Sequence, residues 1–432
     1  MNQELNDILG ELKMNPIFKM SLGSKELFHS NFLEYLWDLD NSRFIKMINS
    51  LLPKEKEIVL ESGKEYFMGR EKEKLDICIF HKEDKKEVYD LVIENKVKSI
   101  PYKKQLEEYF SKVQGKCSNN CKFILLTLSD DFPDKDDDQV KKWKITNYNT
   151  LKDSIKSQYL GNAQISEKDQ ITENDQRYIQ DYCDFIEQLD NLKTILIPND
   201  QQFLFVKEDK DLLEGIRLHD LYIKLRCSWF AVCLKKRLEK EGIDTKIIYK
   251  YEEREFGVVN INVTINQGNG QIAAWICDRD KEKDGKTNMF EIVIQGNQYR
   301  HGINQECVDT KNQGPERLNE LYDRLSQLRD QRSKEFLNFE CNFSIGANPT
   351  LPNKTKNHRK NKSQDPVVQK SGPFDCYGED YIYRYKKIDN IPISQLLKWM
   401  VKEVKIIYKT VNELLKKNEE MKKELEELKN MI

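Results

Sequence analysis

No run of about 18 consecutive apolar residues occurs in the chain, so the sequence predicts no membrane-spanning helix. The opening residues, MNQELNDILGELK, hold no apolar stretch of the kind a secretory leader needs, and the default expectation is a cytoplasmic protein. Excess charge of one sign is missing as well. The 71 basic and 73 acidic residues leave a net charge of -2, which singles out no partner; a nucleic-acid binder would need only a local basic groove. The ten cysteines are scattered. Cys78 and Cys277 sit in apolar, strand-like runs, where a free thiol behaves as a small hydrophobe. Cys117 and Cys121 are the one close pair, with no second pair or histidine cluster beside them, which argues against a zinc site and for a reduced protein. The acidic stretch DDFPDKDDD at 130–138 lacks the glycine turn and terminal glutamate of an EF-hand loop and reads as a surface loop.

What is present suffices for folded cores. Of 432 residues, 38% are hydrophobic and 33% charged, and the length predicts two domains plus an appendage. Phe28, Phe32, Leu36 and Leu39 recur at helical spacing over 24–39. Strand-like runs follow at 57–62, 74–80 and 88–97, the last two separated by the polar stretch HKEDKKE, as in an antiparallel hairpin with a charged loop. Pro101 opens a helix, where its missing N–H costs nothing. KFILLTLS at 122–129 reads as a buried central strand, WKITNYNTLKDSI as a strand entering a helix, and 175–192 as a closing helix. Residues 1–195 are therefore expected to form an α/β domain, a mixed sheet flanked by helices. A helix near 218–241 and the strand-like runs after it predict a second, α+β domain over 196–385, with a mobile basic loop at 348–372. Residues 386–432 read as one long helix. Its seam runs from Ile393 through Leu397, Met400, Val404 and Ile407 to Ile432 at alternating spacings of four and three, with Asn418 at one a position. That seam fits a homodimer through 393–432, or a first half packed on the second domain and a solvated remainder.

The hairpin carries the chemistry. Leu75, Ile77 and Ile79 fall on one strand face, so Asp76 points to the other; Leu91 and Ile93 share one face, and Glu94 and Lys96 the opposite one. Two carboxylates and an amine then converge on one side of a sheet. Such a pair can hold a hard divalent cation, Mg²⁺ or Mn²⁺, and a lysine two residues from a ligand can orient a water or stabilise charge developing on a phosphate. An E-x-K triplet alone is common in a chain this charged and usually marks a solvated face. Here the neighbouring runs are apolar enough for the strands to be central, and charges on central strands require a reason.

Four blocks, in order, resemble the PD-(D/E)xK nuclease superfamily in its RecB-like and lambda-exonuclease-like branch: the helix KELFHSNFLEYLWD, KLDICIF with Asp76, LVIENKV with Glu94 and Lys96, and QLEEY with Gln105 and Tyr109. The resemblance covers about residues 20–190 and implies a restriction-endonuclease-like fold and metal-dependent hydrolysis of phosphodiester bonds, with DNA as the expected substrate. It makes Asp76 and Glu94 metal ligands, Lys96 the catalytic lysine, and Glu26 the acidic residue completing the metal site from the first helix. His29 and Ser30 match the helix motif; Gln105 and Tyr109 would support the site or contact the strand. One departure is Leu75, which stands where the family pattern often has proline. Many proteins of this kind belong to restriction, mobile-element or phage-defence settings, a biological role that would hold here by analogy alone.

Two bland readings stand beside these. His29 on an apolar helix is by default a satisfied core histidine. Lys354, Lys356, Arg359, Lys360 and Lys362 form a solvated linker first and a phosphate-neutralising arm second. The rival functions are a catalytically silent nucleic-acid-binding protein on the same fold, and a coiled-coil interaction protein whose N-terminal domain is a scaffold.

Overall fold

The computed structural model describes residues 2–21, 25–97, 101, 103–128, 135, 137–161, 171–248, 255, 257–266, 269–277, 287–306, 375–377 and 381–409. By its internal contacts the chain divides into two compact units, one of residues 1–198 and 207–229, the other of 199–206 and 230–432.

The first unit begins with helices α1 (Asn2–Met14), α2 (Pro16–Ser21), α3 (Lys25–Leu39) and α4 (Asn41–Ser50). Asp40 caps α4 by accepting the Arg43 N–H, satisfying a donor that the first turn leaves open. Strands β1 (Tyr66–Lys72), β2 (Leu75–Glu83) and β3 (Lys86–Lys96) then form two hairpins. The second turn is only Asp84 and Lys85, at φ 48° and 67°, the doubly left-handed geometry whose twist matches that of the strands. The charged stretch expected to be a loop is thus mostly strand. Another expectation is overturned: 57–62 is not a strand. Val59 is exposed, and both the N–H and the carbonyl of Ile58 bond to the Asn49 side chain, so this backbone has no need of a sheet partner. The edge strand is β1, whose sequence YFMGREK has no apolar run to announce it.

Helix α5 (Lys103–Val113) crosses over to β4 (Cys117–Thr127), which pairs in parallel with β3; β5 (Lys144–Asn147) adds in parallel to β4. The sheet order β1-β2-β3-β4-β5 puts β3 in the centre. Helices α6 (Tyr148–Ile155) and α7 (Glu173–Leu196), capped by Asn147 and Thr172, continue the unit, followed by α8 (Lys207–Glu214) and the first half of α9 (His219–Lys240). On the α5 side, Cys78, Val92, Leu106, Leu125, Val140 and Trp143 form a buried cluster. Leu75, at the first position of β2, packs into this same cluster instead of sharing a face with Ile77 as strict alternation predicts.

In the second unit a seven-stranded sheet is ordered β11-β12-β10-β9-β8-β7-β6, from β6 (Thr245–Ile248), β7 (Val259–Asn266), β8 (Asn269–Cys277), β9 (Thr287–Gln295), β10 (Gln298–Glu306), β11 (Asp375–Tyr377) and β12 (Tyr381–Lys387). A helix over 393–409, α10, buries Ile393, Leu397, Met400, Val404 and Ile407, the first positions of the heptad seam. One turn of it delivers Glu403, which accepts from Tyr299 Oη at 2.5 Å and pairs with His301. The seam beyond residue 409 and the basic residues Lys354, Lys356, Arg359, Lys360 and Lys362 lie outside the described residues.

Candidate active site

Alternation along β3 decides the site. Val92, Glu94 and Lys96 point to the α5 side, while Leu91, Ile93 and Asn95 point to the α3 side. The β2–β3 ladder runs through Ile77↔Ile93, and one step further, where Asp76 would face Glu94, it stops. There the Asp76 carboxylate takes the place of a ladder carbonyl: its Oδ2 accepts the Asn95 N–H at 2.7 Å. Glu94 is 1% exposed and Lys96 6%, and the Lys96 Nζ lies 2.6 Å from Glu94 Oε1. The same oxygen accepts from Gln105 Nε2 at 3.2 Å, and Gln105 Nε2 also donates to Tyr109 Oη at 2.8 Å. The spacing of four on α5 thus places Gln105 and Tyr109 together behind Glu94. The other carboxylate oxygen, Glu94 Oε2, is buried with no hydrogen-bond partner among the described residues.

Electrostatics follow from that burial. Removal from water pushes the Asp76 carboxyl up to about 6, against the opposing pull of the Asn95 N–H and the Lys96 charge. Burial pushes the Glu94 carboxyl up to about 8 although Lys96 is adjacent. Burial by itself would lower the Lys96 amine, but the Glu94, Glu26 and Asp76 charges outweigh it and hold the amine above its ordinary value. Glu26, on the first turn of α3, therefore lies near enough for its charge to act on all three groups.

The remaining expected residues split between site and core. Ser30 Oγ accepts from Asn95 Nδ2 at 2.7 Å, on the sheet face opposite Glu94 and Lys96. His29 Nδ1 is 2.9 Å from Tyr182 Oη; its ring stacks on Phe185 and meets Tyr148 edge-on at 4.8 Å, the surroundings of a core histidine. Asn95 escaped the sequence reading, although a polar residue facing inward from a central strand is itself a signal. Tyr148 escaped it too; its ring is fully buried, and its hydroxyl has no hydrogen-bond partner among the described residues.

Residues 16–184 match the family model described as the PD-(D/E)XK nuclease superfamily. Over those residues the chain is similar to the PD-(D/E)XK superfamily, and the match supports a function of the nuclease type. Neither the curated proteins nor the solved structures gave a match. The superfamily's sheet, mixed and flanked by helices, is the one observed.

Divalent metals are typical of PD-(D/E)XK nucleases, and the donor set fits one. Glu94 Oε2, without a hydrogen-bond partner among the described residues, and the half-buried Asp76 carboxylate are hard oxygen donors whose raised proton affinity comes mainly from burial, which the nearby Lys96 charge only partly offsets. Among the described residues, no group of three histidine, cysteine, aspartate or glutamate side chains closes into a cage.

Proposed function

We propose that this protein is a metal-dependent nuclease hydrolysing phosphodiester bonds in DNA, with Asp76 and Glu94 holding Mg²⁺ or Mn²⁺. One observation carries the reading: Glu94 Oε2 is buried without a hydrogen-bond partner among the described residues, beside Asp76 and Lys96. A buried unsatisfied polar atom costs about 1–3 kcal/mol, and on the central strand next to a second carboxylate that cost is one a bound cation would offset. Bound there, a divalent cation would polarise the phosphoryl oxygen and ease deprotonation of water.

The chain's own groups do the rest. Lys96 is held charged by its acidic neighbours and sits where an amine can orient the attacking water or stabilise charge developing on the phosphate. Gln105, backed by Tyr109, fixes Glu94 Oε1 so that Oε2 stays directed away from both. Glu26 adds negative charge from α3 as an outer member of the set. His29 supports the packing of α3 against Tyr182 and Phe185. A catalytically silent binding protein on this fold would have no use for the intact trio of Asp76, Glu94 and Lys96. A second copy of this chain is the partner we assign to the heptad positions beyond residue 409.

The test is cleavage of linear, nicked and single-stranded DNA, and of RNA, with and without Mg²⁺ or Mn²⁺. Metal-dependent DNA cleavage lost in both Glu94→Ala and Lys96→Ala, with circular dichroism unchanged, supports the reading. Cleavage that persists in both variants removes the site assignment, and absence of any cleavage favours the silent binder. Sedimentation of the full chain against one ending at Lys409 tests self-association.

A further inference from the structure

Asn95 lies between Glu94 and Lys96 in sequence but faces the other side of the sheet, and it is fully buried. Its two polar ends do different work. The backbone N–H donates to Asp76 Oδ2 at 2.7 Å, fixing that carboxylate at the point where the β2–β3 ladder ends. The side-chain Nδ2 donates to Ser30 Oγ at 2.7 Å, and Ser30, itself fully buried, lies one helical turn along α3 from Glu26. Ser30 Oγ in turn makes a long contact, 3.5 Å, to the Glu26 carbonyl. One residue thus joins the strand bearing Asp76, the strand bearing Glu94 and Lys96, and the helix bearing Glu26.

We infer that the Ser30–Asn95 hydrogen bond is a positioning strut: it locks α3 and the end of β2 to β3, and so sets the Glu26 and Asp76 carboxylates against Glu94 and Lys96. The inference rests on the nuclease reading above. Neither Ser30 nor Asn95 has a side chain on the face where Glu94 and Lys96 lie, so neither is assigned contact with metal or substrate. Both act through the placement of groups that are. Alternation explains why the strut falls on this residue: the position between two site residues on a strand points away from the site, toward whatever covers the other face, here α3.

The experiment compares Ser30→Ala, Ser30→Thr and Ser154→Ala in the full chain, reading Mn²⁺ affinity by calorimetry and kcat against KM on linear DNA. Ser154→Ala is the control, because it removes another buried serine hydrogen bond of the same unit, to the Met47 carbonyl. Ser30→Ala should weaken Mn²⁺ binding and lower kcat by about 10–100-fold, the usual consequence of losing a group that orients a ligand, with KM for DNA little changed. Ser30→Thr keeps the oxygen and should recover most of the loss; Ser154→Ala should leave both readings unchanged. Ser30→Cys preserves the volume but offers a poor acceptor, and reports the same loss should Ser30→Ala fail to fold. Parent-like Mn²⁺ affinity in Ser30→Ala or Ser30→Cys overturns the strut. So does an equal loss in Ser154→Ala, which would trace the effect to general stability. A parent protein that binds no Mn²⁺ and cleaves nothing overturns the nuclease reading and the strut together.

Discussion

The two ends of the β2–β3 hairpin carry similar side chains in opposite states. At one end stand Asp76, Glu94 and Lys96; at the other His81, Asp90, Glu83 and Lys64. The second cluster is satisfied: His81 is 2% exposed, its Nδ1 is 2.6 Å from Asp90 Oδ2, its Nε2 is 2.9 Å from Glu83 Oε1, and Lys64 pairs with Glu83 at 2.8 Å. Burial would lower the His81 imidazole, but the two carboxylates outweigh it and raise it. Lys64 first, and His81 after it, bring Glu83 down to about 2. At the first cluster the carboxylates move the other way, up to about 6 and about 8, and one oxygen has no partner among the described residues. A cavity of about 800 Å³ opens beside His81. On the proposed assignment, unmet electrostatic demand, more than charge count, distinguishes the Glu94 end of the hairpin from the His81 end.

The largest expected effect would break this comparison outright. Glu94→Ala or Lys96→Ala should lower metal-dependent cleavage by about 10³-fold or more, while His81→Asn should leave it near the parent rate, as read by single-turnover assays. Loss of cleavage in His81→Asn comparable to that in Glu94→Ala would erase the distinction between the two ends.

Next comes pH. Glu94, with its carboxyl near 8, and Asp76, near 6, must release protons to take a cation. Mn²⁺ affinity should therefore fall about 10–100-fold between pH 8 and pH 6, with proton release visible as a buffer-dependent binding enthalpy. Affinity that does not change over that range would mean that neither carboxylate is a ligand.

A smaller effect concerns stability. Asp76 binds its proton more tightly folded, near 6, than at its ordinary 3.8, so the metal-free fold loses stability as pH rises through that window. At pH 8, Asp76→Asn, which keeps an acceptor for the Asn95 N–H, should abolish cleavage yet stabilise the metal-free protein by about 2 kcal/mol. His81→Asn should do the reverse, destabilising by about 1–3 kcal/mol because Asp90 loses its partner. The His81 contribution should be complete below its ordinary 6.5 and be lost as pH rises through its raised folded value. Urea titrations at pH 5 and pH 8 measure both; equal signs for the two variants would contradict the assignment. The smallest effect is expected for Lys64→Met. Its ion pairs are solvent-screened, and its unfolding midpoint should match the parent's.

Much of the candidate site is legible in the sequence because period-two alternation is local. It correctly put Glu94 and Lys96 on one face of β3 and Leu91 and Ile93 on the other. The four-residue helical spacing likewise brought Gln105 and Tyr109 into contact. What escaped depends on partners far along the chain. Helices α1, α2 and α4 gave no warning in the sequence reading, and β1 carries no apolar run. The segment 57–62 looked like a strand and became irregular because Asn49, nine residues before Ile58, supplies its hydrogen bonds. The C-terminal seam fits a coiled coil or a first half packed on the second domain, and local pattern cannot choose; its positions up to Ile407 are buried within the second unit.

Local pattern suffices to say which chemistry the hairpin can hold: two carboxylates and an amine at fixed alternation on strands too apolar to be surface strands. Which of those groups are left wanting depends on the packing of distant segments. Desolvation depends on what covers a group from every side, and the hydrogen bonds that assemble the site join residues 19 and 65 positions apart, Asp76 to Asn95 and Ser30 to Asn95. Neither is encoded in any local pattern, so only the folded chain separates Glu94, whose Oε2 has no hydrogen-bond partner among the described residues, from the satisfied His81 on the same pair of strands.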